Sequence, residues 1–144
     1  VTTVPGSINS LNGFHGAFTD SIPMIIISGQ VKRETIMSTY NNPGLRQLGD
    51  QEVDIISMVK GITKYAVEIT DPNTIRYHLE KAIYLSTNRR PGPVWISIPV
   101  DVQAAEVDID KCEGFIPEIL NINQDILQSD INNIIDKHSK NSEN

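Results

Sequence analysis

Apolar residues recur along this chain in two periods, and the alternation between them lays out the predicted elements. Val1, Thr2, Thr3 and Val4 are all β-branched and stop at Pro5-Gly6, which reads as the end of a strand. Ile8, Leu11, Phe14, Phe18 and Ile22 then return at helical spacing, so a helix is expected from Ser7, a candidate N-cap, to about Asp20. Gly13 and Gly16 lie three apart on it, and close approach of another backbone would account for them. Residues 24–28 form a continuous apolar run suited to a strand buried on both faces. Residues 29–49 have no period, hold the turn signal Asn42-Pro43-Gly44, and read as a long loop. Val53, Ile56 and Val59 predict a helix from Gln51 that ends at Gly61, and residues 63–69 alternate as a strand around Tyr65, Val67 and Ile69.

Asp71-Pro72 is a helix start, with Asp as N-cap and Pro at the first helical position. Ile75, Leu79, Ala82, Ile83 and Ser86 give its buried stripe, and Arg89 and Arg90 are expected to close it. Pro91-Gly92-Pro93 then turns the chain into a strand over 94–98, ended by Pro99. Residues 101–121 lack a helical period and read as a linker. A last helix is expected over 123–138, with Leu127, Ile131, Ile134, Ile135 and His138 on one face, before a polar tail. Strands alternating with helices in this way predict an α/β fold: a three-layer, open, mainly parallel sheet with helices on both faces.

Composition narrows the function. Over 144 residues there are 12 Lys plus Arg against 18 Asp plus Glu, a net charge of −6. Such a balance argues against a nucleic-acid or anionic-membrane partner, either of which needs a basic face. No apolar run approaches the ~18 residues of a membrane span. The single cysteine, Cys112, excludes an internal disulfide framework and a cysteine-cluster metal site. The chain starts at Val1, without a signal-like segment, in what reads as a strand already under way. It is therefore expected to start inside a larger protein.

Single motifs carry little chemistry. His15, His78 and His138 are widely separated and read as packing or surface residues, and no metal-ligand spacing is present. Lys32 and Arg33 are an anion-holding pair or a solvated loop pair. Glu52 complements a helix dipole if a helix starts beside it. The turn from Pro5 to Asn9 falls at the carboxyl edge of a strand, where ligands bind in α/β sheets.

Five segments taken in order resemble a known family. Pro5-Gly6-Ser7-Ile8-Asn9 is similar to its G-P-G-A-T-N turn. Residues 20–23 and 27–31 are similar to D-S-x-P-x-x-x-I-x-G-Q-V. Gln51-Glu52 and Ile62-Thr63-Lys64 are similar to Q-E and I-T-K, and residues 90–102 to R-P-G-P-V-x-x-x-I-P-x-D-V. The chain thus resembles the N-terminal, pyrimidine-binding domain of thiamine diphosphate-dependent enzymes of the acetolactate synthase group. The resemblance implies that residues 1–102 are the C-terminal two-thirds of that domain, 103–122 a linker, and 123–144 the first helix of a central domain with its tail.

What the resemblance implies about function follows residue by residue. The parent would be a cytoplasmic thiamine diphosphate-dependent lyase or carboligase, a homo-oligomer acting on a small 2-oxo acid. Pro5 and Asn9 would bind the cofactor's pyrimidine, and Gln51 would act at the reaction centre, facing the thiazolium and substrate. The catalytic glutamate would precede this region. The magnesium-held diphosphate would belong to another domain, so no metal ligand falls here and the chain alone would be inactive. Some such enzymes also bind FAD. Val4 stands where the family has glycine, Asp50 where the branched-chain enzyme has an aromatic, and the loop before Gln51 is longer. These departures favour another 2-oxo acid or acceptor. The competing expectation is an α/β module that binds a nucleotide-like ligand or partner without catalysis.

Overall fold

The computed structural model describes residues 4–40, 44–117, 131–133 and 135. Three strands, β1 (Met24–Gln30), β2 (Tyr65–Glu68) and β3 (Pro93–Pro99), form one parallel sheet in the order β1-β3-β2. Met24 lies opposite Pro93 and Gln30 opposite Pro99, while Tyr65 pairs with Val94 and Glu68 with Ser97. The central strand β3 is covered on both faces, whereas β1, expected to be buried on both, flanks it on one side and leaves Ile25 and Ile27 exposed.

Among residues 4–117 that are described, five α-helices accompany the sheet: α1 (Val4–Ile8), α2 (Leu11–Thr19), α3 (Ile55–Val59), α4 (Ile75–Thr87) and α5 (Val100–Gln103). On one face Phe14 of α2 and Ile55 and Val59 of α3 enclose Trp95. The Phe14 and Trp95 rings meet edge to face at 5.1 Å, the favoured aromatic geometry. On the other face Ala82 of α4, with Ile75 and Leu79 beside it, covers Val94 and Ile96. The predicted layered α/β architecture is what the chain adopts.

Several element boundaries differ from expectation. Val4 is helical, not the end of a strand; residues 1–3 lie outside the described residues. The single helix expected from Ser7 to Asp20 is two, because both the backbone N–H and the hydroxyl of Ser10 donate to the Ser7 carbonyl and close a turn there. A Cβ added at Gly13 or Gly16 meets nothing within 4 Å, so no close backbone approach explains either glycine among the described residues. The helix expected from Gln51 starts at Ile55, where Asp54 accepts from the Ser57 backbone N–H as N-cap.

Toward the C-terminal half, α4 ends at Thr87, before Arg89 and Arg90. Arg90 donates instead to Ser21 Oγ at 2.7 Å, and Ile83 is exposed rather than part of the buried stripe. Within the predicted linker, α5 is followed by a 3₁₀ turn at Ile109–Lys111. Phe115 then docks on α4: its N–H donates to Glu80 Oε2 at 2.7 Å, and its ring packs on Tyr77 and Tyr84. Of the predicted last helix, residues 131–133 and 135 are helical; the rest of it lies outside the described residues.

Candidate functional site at the carboxyl edge of the sheet

Parallel strands deliver their carboxyl ends to one edge, and here these ends are Gln30, Glu68 and Pro99. Gln30 is almost fully buried. Its amide nitrogen donates to the Val53 carbonyl at 3.0 Å and to Glu68 Oε2 at 3.4 Å, which seats the chain just before α3 over the end of β1. A cavity of about 470 Å³ opens there, lined among others by Gln30, Met37, Glu52, Asp54 and Glu68. Burial raises the Glu68 carboxyl above its ordinary range, and the charges of Asp54 and Glu52 add to the shift against the lowering effect of the Gln30 hydrogen bond. Beside it in register, Ser97 Oγ is buried without a hydrogen-bond partner.

The long segment after β1 is not a free loop. Arg33 grips Asp101 twice, through its backbone N–H to Oδ1 at 3.0 Å and its side-chain Nε to Oδ2 at 2.6 Å, and also donates to the Thr70 carbonyl. Burial opposes ionisation of Asp101, but the Arg33 hydrogen bonds outweigh it and hold the carboxyl below its usual range. Arg33 is thus engaged by the fold rather than offered to an anion, and Lys32 lies 3.8 Å from Glu34. Glu52 accepts from the Met37 N–H with one oxygen and from Leu48 and Gly49 N–H groups with the other.

The three residues singled out from the sequence are all exposed. Pro5 lies in α1 and Asn9 just beyond it, and α1 packs on β1 and α3. Gln51 lies in the turn before α3, with its backbone in the left-handed region at φ 62°. Pro5 presents an apolar ring and Asn9 an amide at the surface. Among the described residues no three His, Cys, Asp or Glu side chains converge as a metal site.

Sequence reasoning missed the roles of Glu52, Glu68 and the Arg33–Asp101 pair. A signal existed for Glu68: the alternation that turns Tyr65, Val67 and Ile69 to one face puts it on the opposite one, at a strand's carboxyl end. Of the histidines read as packing or surface residues, His78 packs, His15 is exposed, and His138 lies outside the described residues. The Tyr65 hydroxyl meets His78 Nδ1 at 2.6 Å, and Cys112 is buried and free.

A family model described as the thiamine pyrophosphate enzyme N-terminal TPP-binding domain matches residues 1–59. That match makes residues 1–59, which include α1, α2, β1 and α3, part of a thiamine pyrophosphate enzyme domain. The probable acetolactate synthase large subunit of Methanocaldococcus jannaschii is 36% identical over 110 residues, covering 76% of this chain and 17% of that protein. The acetolactate synthase large subunit of Haemophilus influenzae is 37% identical over 101 residues, covering 70% and 16%. That of Corynebacterium glutamicum is 38% identical over 110 residues, covering 74% and 16%. The chain belongs to the acetolactate synthase-like group of thiamine pyrophosphate enzymes, as part of their N-terminal domain. The aligned region spans about a sixth of the length of these curated relatives. No described helix is long and apolar enough to cross a membrane.

Proposed function

We propose that this chain is a working part of a thiamine diphosphate-dependent carboligase or lyase that acts on a 2-oxo acid, as a homo-oligomer in the cytoplasm. The similarity to acetolactate synthase large subunits carries this reading. Bound thiamine diphosphate supplies an electron sink for the carbanion left when a 2-oxo acid loses its carboxyl group. In this reading Pro5 packs against the aminopyrimidine, Asn9 hydrogen-bonds its edge, and Gln51 donates its amide to oxygen that gains charge in the transition state. The domain ends near Val102 and is followed by a linker to about residue 122. The magnesium ion and diphosphate are held outside this chain, and FAD remains compatible with the parent. The isolated 144 residues should therefore show no ligase or decarboxylase activity.

Paired titrations with thiamine diphosphate, followed by kinetics at saturating cofactor, test the roles. Gln51→Ala in the enzyme should lower kcat/KM by about 10–10³-fold with little change in cofactor affinity. Asn9→Ala should weaken cofactor binding and spare saturated turnover. Wild-type kcat/KM in Gln51→Ala would remove Gln51 from the reaction centre.

A further inference from the structure

Gln51 occupies a backbone conformation that its side chain does not favour. The Glu52 N–H donates to the Gly49 carbonyl at 3.3 Å, closing a four-residue turn over Gly49, Asp50, Gln51 and Glu52. Gln51, the third residue, has φ 62°, whereas Asp50 is not in the positive region. That is the pattern of a type II turn, which favours glycine at its third position. A larger residue persists there only when its surroundings hold it.

The surroundings are specific. One oxygen of Glu52 takes the Met37 N–H; the other takes those of Leu48 and Gly49, at 3.3 and 3.1 Å. A single carboxylate thereby fastens the two arms of the long loop to each other. The arms also touch directly, since a Cβ on Gly49 would lie 2.8 Å from the Thr35 carbonyl oxygen. Gln47 adds a further bond, donating to the Gly49 carbonyl at 2.8 Å. Glu52 lines the cavity at the carboxyl edge, so the clamp stands where the sheet presents its ligand-binding side.

We propose that Glu52 is a positioning residue: its carboxylate clamp on Met37, Leu48 and Gly49 holds Gln51 in the left-handed turn from which Gln51 acts. The catalytic half of this statement rests on the role given to Gln51 above; the clamp itself does not. Carboxylate hydrogen bonds to backbone N–H groups are the stronger kind, and three on one side chain fix a turn more firmly than neutral bonds would.

The test uses the enzyme that carries this chain, reconstituted with thiamine diphosphate, and has two arms. In the first, amide exchange is followed in Glu52→Ala and Glu52→Gln. Exchange at Met37, Leu48 and Gly49 should rise tenfold or more in Glu52→Ala and less in Glu52→Gln, which keeps one acceptor and guards against a variant that fails to fold. Gln51→Gly should raise the melting temperature by relieving the turn. In the second arm, Glu52→Ala should lower kcat/KM at least tenfold with unchanged cofactor affinity, and the loss should not add to that of Gln51→Ala. Unchanged exchange in Glu52→Ala overturns the clamp. Raised exchange with intact kcat/KM, while Gln51→Ala is impaired, overturns positioning. An unimpaired Gln51→Ala overturns the Gln51 role and the positioning role with it.

Discussion

The indole N–H of Trp95 donates to the Ser28 hydroxyl at 2.9 Å, joining β3 to β1 inside the core from positions 67 residues apart. Both side chains are buried, so each is the other's means of satisfying a polar group away from water. Ser28→Ala strands the indole N–H and should reduce unfolding free energy by about 1–3 kcal/mol. Trp95→Phe removes the donor together with packing against Phe14. In a double-mutant cycle read by denaturant melts, Ser28→Ala should cost clearly less in the Trp95→Phe background. Equal losses in both backgrounds would show that the hydrogen bond contributes nothing.

Arg33 and Asp101 tie the loop to the end of β3 with side chains that remain partly exposed, which limits their value to about 1 kcal/mol. Arg33→Lys keeps the charge but lacks the fork that reaches Asp101 and the Thr70 carbonyl together. The expected outcome is faster limited proteolysis within residues 31–52, with a melting temperature that hardly moves.

Glu68 sets a pH dependence. Its folded pKa is raised above the ordinary 4.5, mainly by burial. A raised pKa means that the folded state holds its proton more tightly, so the benefit is fully present below 4.5 and is lost as pH rises through the folded value. Glu68→Gln should accordingly melt higher than the parent near neutral pH, and the gap should close as pH falls below that window. A constant gap across the range would remove Glu68 as its cause.

His78 works in the opposite direction. Burial, then the nearby Lys81 charge, lowers its pKa below 6.5. Burial also pushes the Tyr65 phenol up to about 12, and its hydroxyl shares a hydrogen bond with His78 Nδ1. A lowered histidine pKa gives stability that is present above 6.5 and lost as pH falls through the folded value. An NMR titration should place His78 below 6.5 in the parent, and Tyr65→Phe should shift it measurably.

The parts of the fold that could be read from the sequence were those whose signals are local. Asp71-Pro72 marks a helix start because capping is chemistry within a few residues, and residues 94–98 read as a strand because Pro91-Gly92-Pro93 and Pro99 bracket a short β-prone run. Val53 misled the helix reading. It stands three residues before Ile56, at helical spacing, yet it is held by the Gln30 amide through its carbonyl. Pro5 and Asn9 lie together because they are near neighbours in sequence, whereas the pairing of Arg33 with Asp101 spans 68 residues and leaves no periodic trace. Glu52 was legible as an acidic residue beside a helix start; its actual partners are amides of a loop whose folding no local pattern encodes.

The strand order has a consequence for the time at which the fold can form. β3 is the last of the three strands to be made, and both β1 and β2 take their partners from it rather than from each other. During synthesis, neither ladder can close until Pro93–Pro99 has left the ribosome. Until Pro93 emerges, Met24–Gln30 and Tyr65–Glu68 lack the strand with which both of them pair. A nascent chain stalled between Arg90 and Pro93 should therefore be the species that chaperones hold longest. Release of seven more residues, Pro93–Pro99, is what brings β1 and β2 into one sheet.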